Sequence, residues 1–404
     1  MINVQNFEKK RWVCMAAALI ACVCAGFGYA WSVLQNPIVT THGWADNQVS
    51  LAYTLTVVCS TMAPLFLGAL IRKLGSRRCV AVGAVLFGCG LFLTGSMTAL
   101  WQLYLFYGLL NGIGVGFIYP SMMAYVVRLF PDKSGMASGM GTAAYGAGAI
   151  LWAPTAVAIM ESASLAAALR VLGIALGGVI LAASFLLREP PEEFERRFAP
   201  APQAGAAGGS KDLRRGEMVR RPAFYLMVAV FTCALVAGTI VISQASPILQ
   251  QTLGYTTAQA AAMVSVVSAC NVGGRFLIGT LSDRKGLHFA LIMTFCGCGA
   301  AMAVLTLTGT EAVVLVCMGL AAACYGGFAS TLTPLTAKMF GRRYITENYG
   351  VMYVVFGISA LIGPNLAVSF KNAAGGSYSG AFLTAAVLAV AGLIGSRFLK
   401  SNAQ

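Results

Sequence analysis

Charged side chains are scarce in this sequence, and acidic ones are the scarcest. Asp and Glu together number 13, His numbers 2, and all charged residues make up 10% of the 404 residues, against about 25% in soluble domains. Apolar residue types make up 58%, so a soluble fold would lack the polar surface needed to cover itself. The excess apolar surface must face lipid, which predicts a membrane protein.

Clusters of reactive side chains are also missing. No nucleophile–base pair, metal-ligand cluster or phosphate-binding loop stands out, so we expect neither an enzyme nor a bound cofactor or metal. The 12 cysteines are scattered singly through apolar segments, without the spacing of metal or redox sites. We interpret them as reduced, buried, small apolar side chains.

Long apolar runs, by contrast, are plentiful. A membrane-spanning helix needs about 20 apolar residues, and twelve runs of this kind are present. The predicted spans are 12–35, 46–71, 79–97, 100–127, 135–160, 165–187, 222–249, 257–281, 289–308, 311–337, 346–370 and 378–399. The segment before the first span is polar and basic, and that span is long enough to cross a bilayer, so we expect no cleavable signal. The predicted fold class is an all-α polytopic membrane protein.

Basic residues are distributed unevenly between the two sides of these spans. Twenty-four of the 27 Lys and Arg residues fall on one side, and Arg170 and Lys371 fall on the other. The positive-inside rule therefore predicts that both termini are cytoplasmic. The net charge of +14 is explained by topology, and we expect no nucleic-acid partner. Arg170 and Lys371 could attract anions, but we expect them to be snorkelling anchors.

One long hydrophilic stretch divides the chain. Residues 189–221 include two consecutive prolines and an Ala/Gly/Pro-rich run, which is typical of a flexible linker. We predict that this segment is cytoplasmic and joins two six-helix bundles, residues 1–188 and 222–404.

The two predicted bundles repeat each other at an offset of 211 residues. The matching positions are Gly68 with Gly279, Gly75 with Gly286, and Tyr145 with Phe356. Because these matches fall at equivalent helix positions, we favour a true repeat over a chance similarity of Gly-rich helices. Parallel six-helix repeats, related by an axis along the membrane normal, are typical of one large class of transporters.

The loop after the eighth span carries a short motif. Residues 279–286 read Gly-Thr-Leu-Ser-Asp-Arg-Lys-Gly, in which Asp283 and Arg284 form an acidic–basic pair between two glycines. This motif resembles the loop signature of the major facilitator superfamily. The resemblance implies a gating role, with the acid pairing with cytoplasmic arginines to latch the two halves. In the first half Arg72 stands where the acid is expected, so the resemblance does not imply a latch in that half.

Several short motifs narrow the resemblance further. They are Gly28-Tyr29-Ala-Trp31 with Asn36-Pro37, Phe130-Pro131-Asp132-Lys133 with Ala137-Ser138-Gly139, Tyr145-Gly146, Asn271 with Arg275, and Glu347-Asn348-Tyr349-Gly350. In these motifs the chain resembles the branch of oxalate:formate antiporters and monocarboxylate transporters within that superfamily. The resemblance implies the major facilitator fold, two pseudo-symmetric six-helix bundles, and transport of a small carboxylate. It also places the arginine that binds the substrate carboxylate at Arg275.

Two departures from the branch bear on the substrate. Oxalate antiporters add a lysine in the eleventh span where this chain has Phe356. Animal monocarboxylate carriers have a proton-coupling aspartate where this chain has Asn271. The first departure favours a monocarboxylate such as formate, lactate or pyruvate over the oxalate dianion, and the second leaves Arg275 without a titrating acid beside it.

Arg275 also stands out without the resemblance. It is the one Arg, Lys, Asp, Glu or His well inside a predicted span, where an arginine costs about 2.5–3.5 kcal/mol or more. A residue of this kind usually faces a cavity, although an arginine can also snorkel or bind backbone carbonyls. Asn271 lies one turn earlier on the same helix face. A guanidinium can bind one carboxylate through two parallel hydrogen bonds, so we predict that Arg275 and Asn271 bind an anion.

Aromatic and amide side chains at similar depth complete the predicted site. They are Tyr29, Asn111, Tyr119, Tyr145, Tyr325, Phe328, Tyr353 and Phe356, with Gln244 and Ser246 near the end of the seventh span. Phenol hydroxyls can hydrogen-bond a carboxylate while their rings exclude water. The alternative for the tyrosines is an interfacial belt or core packing.

The function predicted from these features is secondary active transport of a small monocarboxylate by alternating access. Anion exchange and proton-coupled symport both stay open, although His42 and His288 fall in loops and offer no buried proton relay. The alternatives are an oxalate:formate antiporter, a drug or other solute efflux carrier, and a non-transporting membrane sensor. We expect a monomer in the lipid bilayer of a bacterial inner membrane.

Overall fold

The computed structural model describes residues 4–130, 134–191, 193–194, 212–307, 309–341 and 344–401. Twelve helices in this part of the chain are long and apolar enough to cross a membrane, which confirms the predicted number. We label them α1 to α12: Lys10–His42, Asp46–Leu65, Leu74–Thr94, Leu100–Leu129, Met136–Ser162, Leu165–Leu186, Pro222–Leu253, Thr257–Ser282, Leu287–Leu307, Glu311–Phe340, Glu347–Ala373 and Ser379–Leu399. The described residues contain no β-strand.

Because the number of spans is even, the start of α1 and the end of α12 lie at one end of the bundle, which we call the termini face. The loops 43–45, 95–99, 163–164, 254–256 and 374–378 lie at the other end, which we call the opposite face.

Several spans are interrupted close to residues of the predicted site. In α1 a 3₁₀ turn, Gly26–Ala30, contains Tyr29 and separates two regular helical segments. In α11 the helix is interrupted at Tyr353. In α5 it is interrupted at Ala147, two residues after Tyr145. Inside a membrane such irregular backbone is tolerated only where it is buried in protein or lines a cavity.

Equivalent helices pack against each other in the two halves. In the first half α3 packs on α6, and in the second α9 packs on α12. The contact between α3 and α6 is close because Gly88 faces Gly173, where an added Cβ on Gly88 would lie 2.9 Å from the carbonyl oxygen of Gly173. Small residues of this kind let membrane helices approach closely.

The repeated glycines after α2 and α8 share a backbone conformation. Gly75 has φ 74° and Gly286 has φ 89°, a region in which a residue with a Cβ is strained. The repeat found in the sequence therefore has a conformational counterpart at these turns. Gly279 lies in the last turn of α8, and the helix continues beyond this span to Lys285 and includes Arg284. Gly68 and Asp283 fall among residues whose side chains lie outside the described part, so the latch proposed for Asp283 stays a prediction.

The turn between α2 and α3 uses an acid that the loop signature did not predict. The carboxylate of Glu189, just past α6, accepts a hydrogen bond from the backbone N–H of Ser76 at 2.7 Å. Its other oxygen lies 3.0 Å from Nη1 of Arg128. A carboxylate at a helix N-terminus satisfies a free N–H group and complements the helix dipole. Glu189 thus supplies a negative charge to the loop in which Arg72 replaces the expected acid.

Both ends of the predicted linker pack on a neighbouring bundle. The ring of Phe194 lies 5.0 Å from that of Phe7, centroid to centroid. At the other end the backbone N–H of Leu213 donates to the carbonyl of Phe340, and the Asn348 amide donates to the carbonyl of Leu213 at 2.9 Å. Residues 195–211 lie outside the described part, so the flexibility predicted for the linker stays a prediction.

All twelve cysteines are free thiols. Most are buried among the helices, as predicted, but Cys89 and Cys296 are exposed on the surface of the bundle. The prediction that every cysteine is buried holds only in part for Cys59, Cys233 and Cys270, which are half-buried, and is wrong for Cys89 and Cys296. Both lie in transmembrane helices, where an exposed position faces lipid, and a thiol is apolar enough to be placed there.

Candidate functional site

The side chain of Arg275 points into the protein from α8. Its exposed fraction is only 7%. Its Nε donates a hydrogen bond to Oδ1 of Asn271 at 3.2 Å, and its Nη2 donates to the hydroxyl of Tyr29 at 3.2 Å. Because Tyr29 belongs to α1 and Arg275 to α8, the guanidinium lies at the contact between the two halves.

The polar partners of Arg275 are both neutral. In the described part of the chain no carboxylate pairs with this guanidinium. The amide of Asn271 is itself held by a hydrogen bond from Nδ2 to the carbonyl of Ala322 at 3.2 Å, which directs Oδ1 toward Arg275. A buried cation surrounded by neutral groups is costly unless an anion pairs with it. The geometry is therefore suited to binding an anion from outside the chain.

Two glycines make room for Arg275 and Asn271. A Cβ added to Gly146 of α5 would lie 2.9 Å from Oδ1 of Asn271 and 3.3 Å from Nε of Arg275. A Cβ added to Gly326 of α10 would lie 2.1 Å from the carbonyl oxygen of Asn271 and 3.1 Å from Cγ of Arg275. Larger residues at either position would push the pair out of place.

Six of the predicted aromatic residues form one continuous series of ring contacts, which we call the aromatic chain. The successive centroid distances are 5.5 Å from Tyr29 to Tyr145, 4.4 Å from Tyr145 to Tyr119, 5.9 Å from Tyr119 to Tyr353, 4.9 Å from Tyr353 to Phe356, and 6.1 Å from Phe356 to Tyr325. The aromatic chain joins α1, α4, α5, α10 and α11. It therefore crosses from one half of the molecule to the other at the depth of Arg275.

Tyr349, which the site prediction did not include, extends the aromatic chain. Its ring centroid lies 5.9 Å from that of Tyr353, one helical turn away. The i, i+4 spacing of these two tyrosines was the signal that could have identified Tyr349.

Two other predicted residues pack elsewhere. Phe328 is fully buried, and its ring lies 4.7 Å from that of Phe295 in α9. Asn111 donates a hydrogen bond from Nδ2 to the carbonyl of Phe87 in α3 at 3.3 Å. The structure thus places Phe328 between α9 and α10 and Asn111 between α3 and α4, in helix–helix packing.

Gln244 belongs to a polar contact between the halves. Its amide and that of Gln35 exchange hydrogen bonds: Nε2 of Gln35 donates at 3.2 Å and Nε2 of Gln244 donates at 2.8 Å. Both side chains are fully buried. Closer to the opposite face, Nδ2 of Asn36 donates to Oε1 of Gln250 at 2.9 Å, and Gln250 donates to Ser246 at 2.8 Å. These contacts join α1 to α7 between the site and the opposite face.

Lys371 does not act as the snorkelling anchor that the sequence predicted. Its ammonium pairs with the carboxylate of Asp46, and the two side chains are only 9% and 15% exposed. Asp46 begins α2 and Lys371 lies near the end of α11, so the ion pair joins the halves at the opposite face. The prediction failed because a span-by-span analysis cannot identify a partner 325 positions away. Arg170 is exposed and donates to Ser96 at 3.2 Å within the first half.

Around Arg275 the halves also meet through backbone. The hydroxyl of Ser268 in α8 donates to the carbonyl of Gly146 in α5 at 2.6 Å. Ser265, one turn earlier, donates to the carbonyl of Ile150 at 3.2 Å. These serines show that α5 and α8 lie side by side next to the site.

Comparison with known proteins gives a consistent result. A family model described as Major Facilitator Superfamily matches residues 16–364. The oxalate:formate antiporter of Oxalobacter formigenes is 26% identical over 93% of this chain and 88% of its own length. Monocarboxylate transporter 12 of Rattus norvegicus is 24% identical over 84% of this chain and 75% of its own length.

One solved structure shows the same fold. A bacterial homolog of the human lysosomal transporter Spinster matches with a TM-score of 0.69 and 16% identity, over 98% of this chain and 96% of that one. An uncharacterized MFS-type transporter of Escherichia coli is 25% identical over 88% of this chain and 87% of its own length.

Proposed function

The chain belongs to the Major Facilitator Superfamily and is a multi-pass membrane transporter, and on this premise we propose that it carries a small monocarboxylate such as formate, lactate or pyruvate. The observation that supports the proposal is Arg275, a buried cation at the contact between the halves whose polar partners are neutral. A planar guanidinium can bind a carboxylate through two parallel hydrogen bonds.

The neighbours of Arg275 suit this ligand. The guanidinium offers one bidentate face to the carboxylate, while Asn271 holds Nε and fixes the orientation of the fork. The hydroxyl of Tyr29, which accepts from Nη2, can turn to donate to a carboxylate oxygen. The rings of Tyr145 and Tyr119 next to it are apolar surfaces that exclude water from the carboxylate.

We propose that transport follows alternating access. Each six-helix half moves as a unit around the site of Arg275, so that the site opens first to one face and then to the other. The excess of basic residues at the termini face supports a cytoplasmic location for that face. The opposite face then lies toward the outside of the cell.

The single positive charge of Arg275 also bears on whether transport is coupled to a second anion or to a proton. When a carboxylate binds, the site becomes neutral. The two halves can then change conformation without placing an unpaired cation in a low-dielectric environment. The empty carrier must move that cation unpaired, so it changes conformation slowly. Anion exchange is favoured for this reason, and proton symport is the alternative if the proton arrives with the substrate.

An oxalate:formate antiporter is the second candidate, because a relative of that name matches most of the chain. Against it stands Phe356, an aromatic residue 8% exposed at the position where the branch resemblance expects a second cation. One guanidinium balances one negative charge, which favours a monoanion. Drug efflux and sensing have no specific observation in their favour.

Uptake of labelled formate, lactate, pyruvate and oxalate into proteoliposomes tests the proposal. Each label is offered with and without internal unlabelled anion, and with and without a pH gradient. We expect uptake of at least one monocarboxylate, stimulated by internal anion and strongly reduced by Arg275→Ala. Uptake of oxalate alone would support the second candidate, and carboxylate uptake unaffected by Arg275→Ala would reject the site.

A further inference from the structure

The ion pair of Asp46 and Lys371 lies apart from the Arg275 site, at the opposite face. Both residues sit close to helix ends, Asp46 in the first turn of α2 and Lys371 in the last turn of α11. The two carry opposite charges and belong to different halves. The pair is therefore a contact between two bodies that alternating access must separate.

The burial of this pair is unusual for charges at a membrane surface. Exposed fractions of 9% and 15% mean that both groups have lost most of their hydration. Such a loss is offset only while the partner is present, and removal of one partner leaves an uncompensated charge. Once Lys371 is separated from Asp46, its ammonium is therefore stabilised by any carboxylate that reaches it.

A second layer of contacts lies between this pair and the Arg275 site. The amides of Gln35 and Gln244 exchange two hydrogen bonds across the halves, and Thr54 donates to the carbonyl of Ala360 at 3.0 Å. When the halves part at the opposite face, all these contacts break. The neutral amides can be satisfied by water, but Lys371 is left as a cation on the wall of the opened path.

We infer that Lys371 contacts the substrate carboxylate in the path at the opposite face. While that face is closed, the carboxylate of Asp46 pairs with Lys371 in place of the substrate. The inference rests on the proposed function, since it takes the substrate to be a carboxylate. Asp46 and the substrate present the same chemical group to the ammonium. Lys371 is thereby the first cation met by a monocarboxylate that enters from this face, and Arg275 is the second.

Thiol labelling tests whether the ion pair of Asp46 and Lys371 keeps the opposite face closed, and it needs no assumption about the substrate. Ser246 is fully buried near the α1–α7 contact, so Ser246→Cys reports opening of the opposite face. In proteoliposomes a membrane-impermeant thiosulfonate is added at that face, and the parent with its native cysteines gives the background. We expect Asp46→Asn to raise the labelling rate several-fold, and the double exchange Asp46→Lys with Lys371→Asp to restore slow labelling. Equal rates in all three proteins would overturn the closure.

Side-specific kinetics tests the contact with carboxylate. Lys371→Gln is expected to raise KM several-fold for the transported monocarboxylate offered at the opposite face, with KM at the termini face unchanged, and Lys371→Arg to restore it. Should Lys371→Gln fold poorly, the neutral pair Asp46→Asn with Lys371→Gln should show the same rise. Arg170→Gln is the matched control, since it removes one positive charge from the same face without touching the ion pair.

The outcomes separate this inference from the proposed function. An equal rise of KM at both faces, or the same rise in Arg170→Gln, would overturn the contact role of Lys371. If the wild type carried no carboxylate at all, the proposed function would fail together with the contact role, whereas the labelling result for the closure would stand by itself.

Discussion

Nη2 of Arg275 lies 3.2 Å from the hydroxyl oxygen of Tyr29, and this hydrogen bond joins α8 of the second half to α1 of the first. The oxygen of Tyr29 occupies one of the positions that a carboxylate oxygen would take on the guanidinium. A carboxylate bound here would accept the hydrogen bond from Nη2 in place of the Tyr29 hydroxyl, which would turn to donate to the carboxylate. We therefore expect substrate binding to be linked to movement of the halves through this bond.

The first prediction concerns the charge and shape of Arg275. Arg275→Ala removes the cation, and loss of a buried, hydrogen-bonded charge partner costs about 2–5 kcal/mol. We expect kcat/KM for monocarboxylate exchange in proteoliposomes to fall at least ~30-fold. Arg275→Lys keeps the charge but loses the planar fork, so we expect an intermediate loss, mostly in KM. A lysine variant as inactive as the alanine variant would mean that geometry outweighs charge.

The second prediction concerns the hydroxyl of Tyr29. Tyr29→Phe keeps the ring in the aromatic chain but removes the partner of Arg275. Hydrogen bonds to charged groups contribute about 1.5–3 kcal/mol, so we expect KM to rise ~10-fold or more. Tyr104→Phe is the control, since its hydroxyl donates to the Gln48 carbonyl at an exposed position. If both variants behave alike in exchange assays, Tyr29 has no special role.

Local patterns in the sequence account for what was predicted well. Twelve apolar runs follow from the thickness of the bilayer and gave the twelve spans. The contact between Arg275 and Asn271 follows from their i, i+4 spacing and is present at 3.2 Å. The tyrosines of the aromatic chain were grouped by their depth in the spans, and the structure brings them together.

Contacts between distant segments account for what the sequence did not reveal. Depth alone does not specify which way a side chain points around its helix, so Phe328 and Asn111 were grouped with the site although they pack on α9 and α3. The pair of Asp46 and Lys371 depends on how α2 meets α11, which no spacing within one helix encodes. Glu189 reaches the α2–α3 turn in the same way, from another part of the chain.

The third prediction concerns the number of cations in the site. Phe356→Lys places a second ammonium at a position whose ring contacts Tyr353 and Tyr325. A dianion gains more from the added charge than a monoanion, and about 1.4 kcal/mol of difference is tenfold in selectivity. We expect the ratio of oxalate to formate uptake to rise about tenfold. Phe356→Met removes the ring without adding charge, and the same ratio in both variants would argue against charge as the cause.

The fourth prediction concerns the space that Gly146 leaves beside Arg275. In Gly146→Ala the new Cβ would lie 2.9 Å from Oδ1 of Asn271, which is closer than carbon and oxygen atoms tolerate, so the amide must shift. Because Asn271 orients the guanidinium, we expect at least ~10-fold slower exchange, as small displacements of a binding group are costly.

Gly139→Ala is the matched control for that substitution. Gly139 lies in the same helical segment, Ser134–Gly146, but an added Cβ there meets no atom within 4 Å. Both changes replace glycine by alanine, which favours the helix, so a loss of helix stability would not explain slower exchange in Gly146→Ala. Slow exchange in Gly146→Ala with normal exchange in Gly139→Ala, at equal expression and thermal stability, would locate the effect at Asn271 and Arg275. Equal exchange in both would show that the site tolerates a shifted amide, and the positioning role of Asn271 would be wrong.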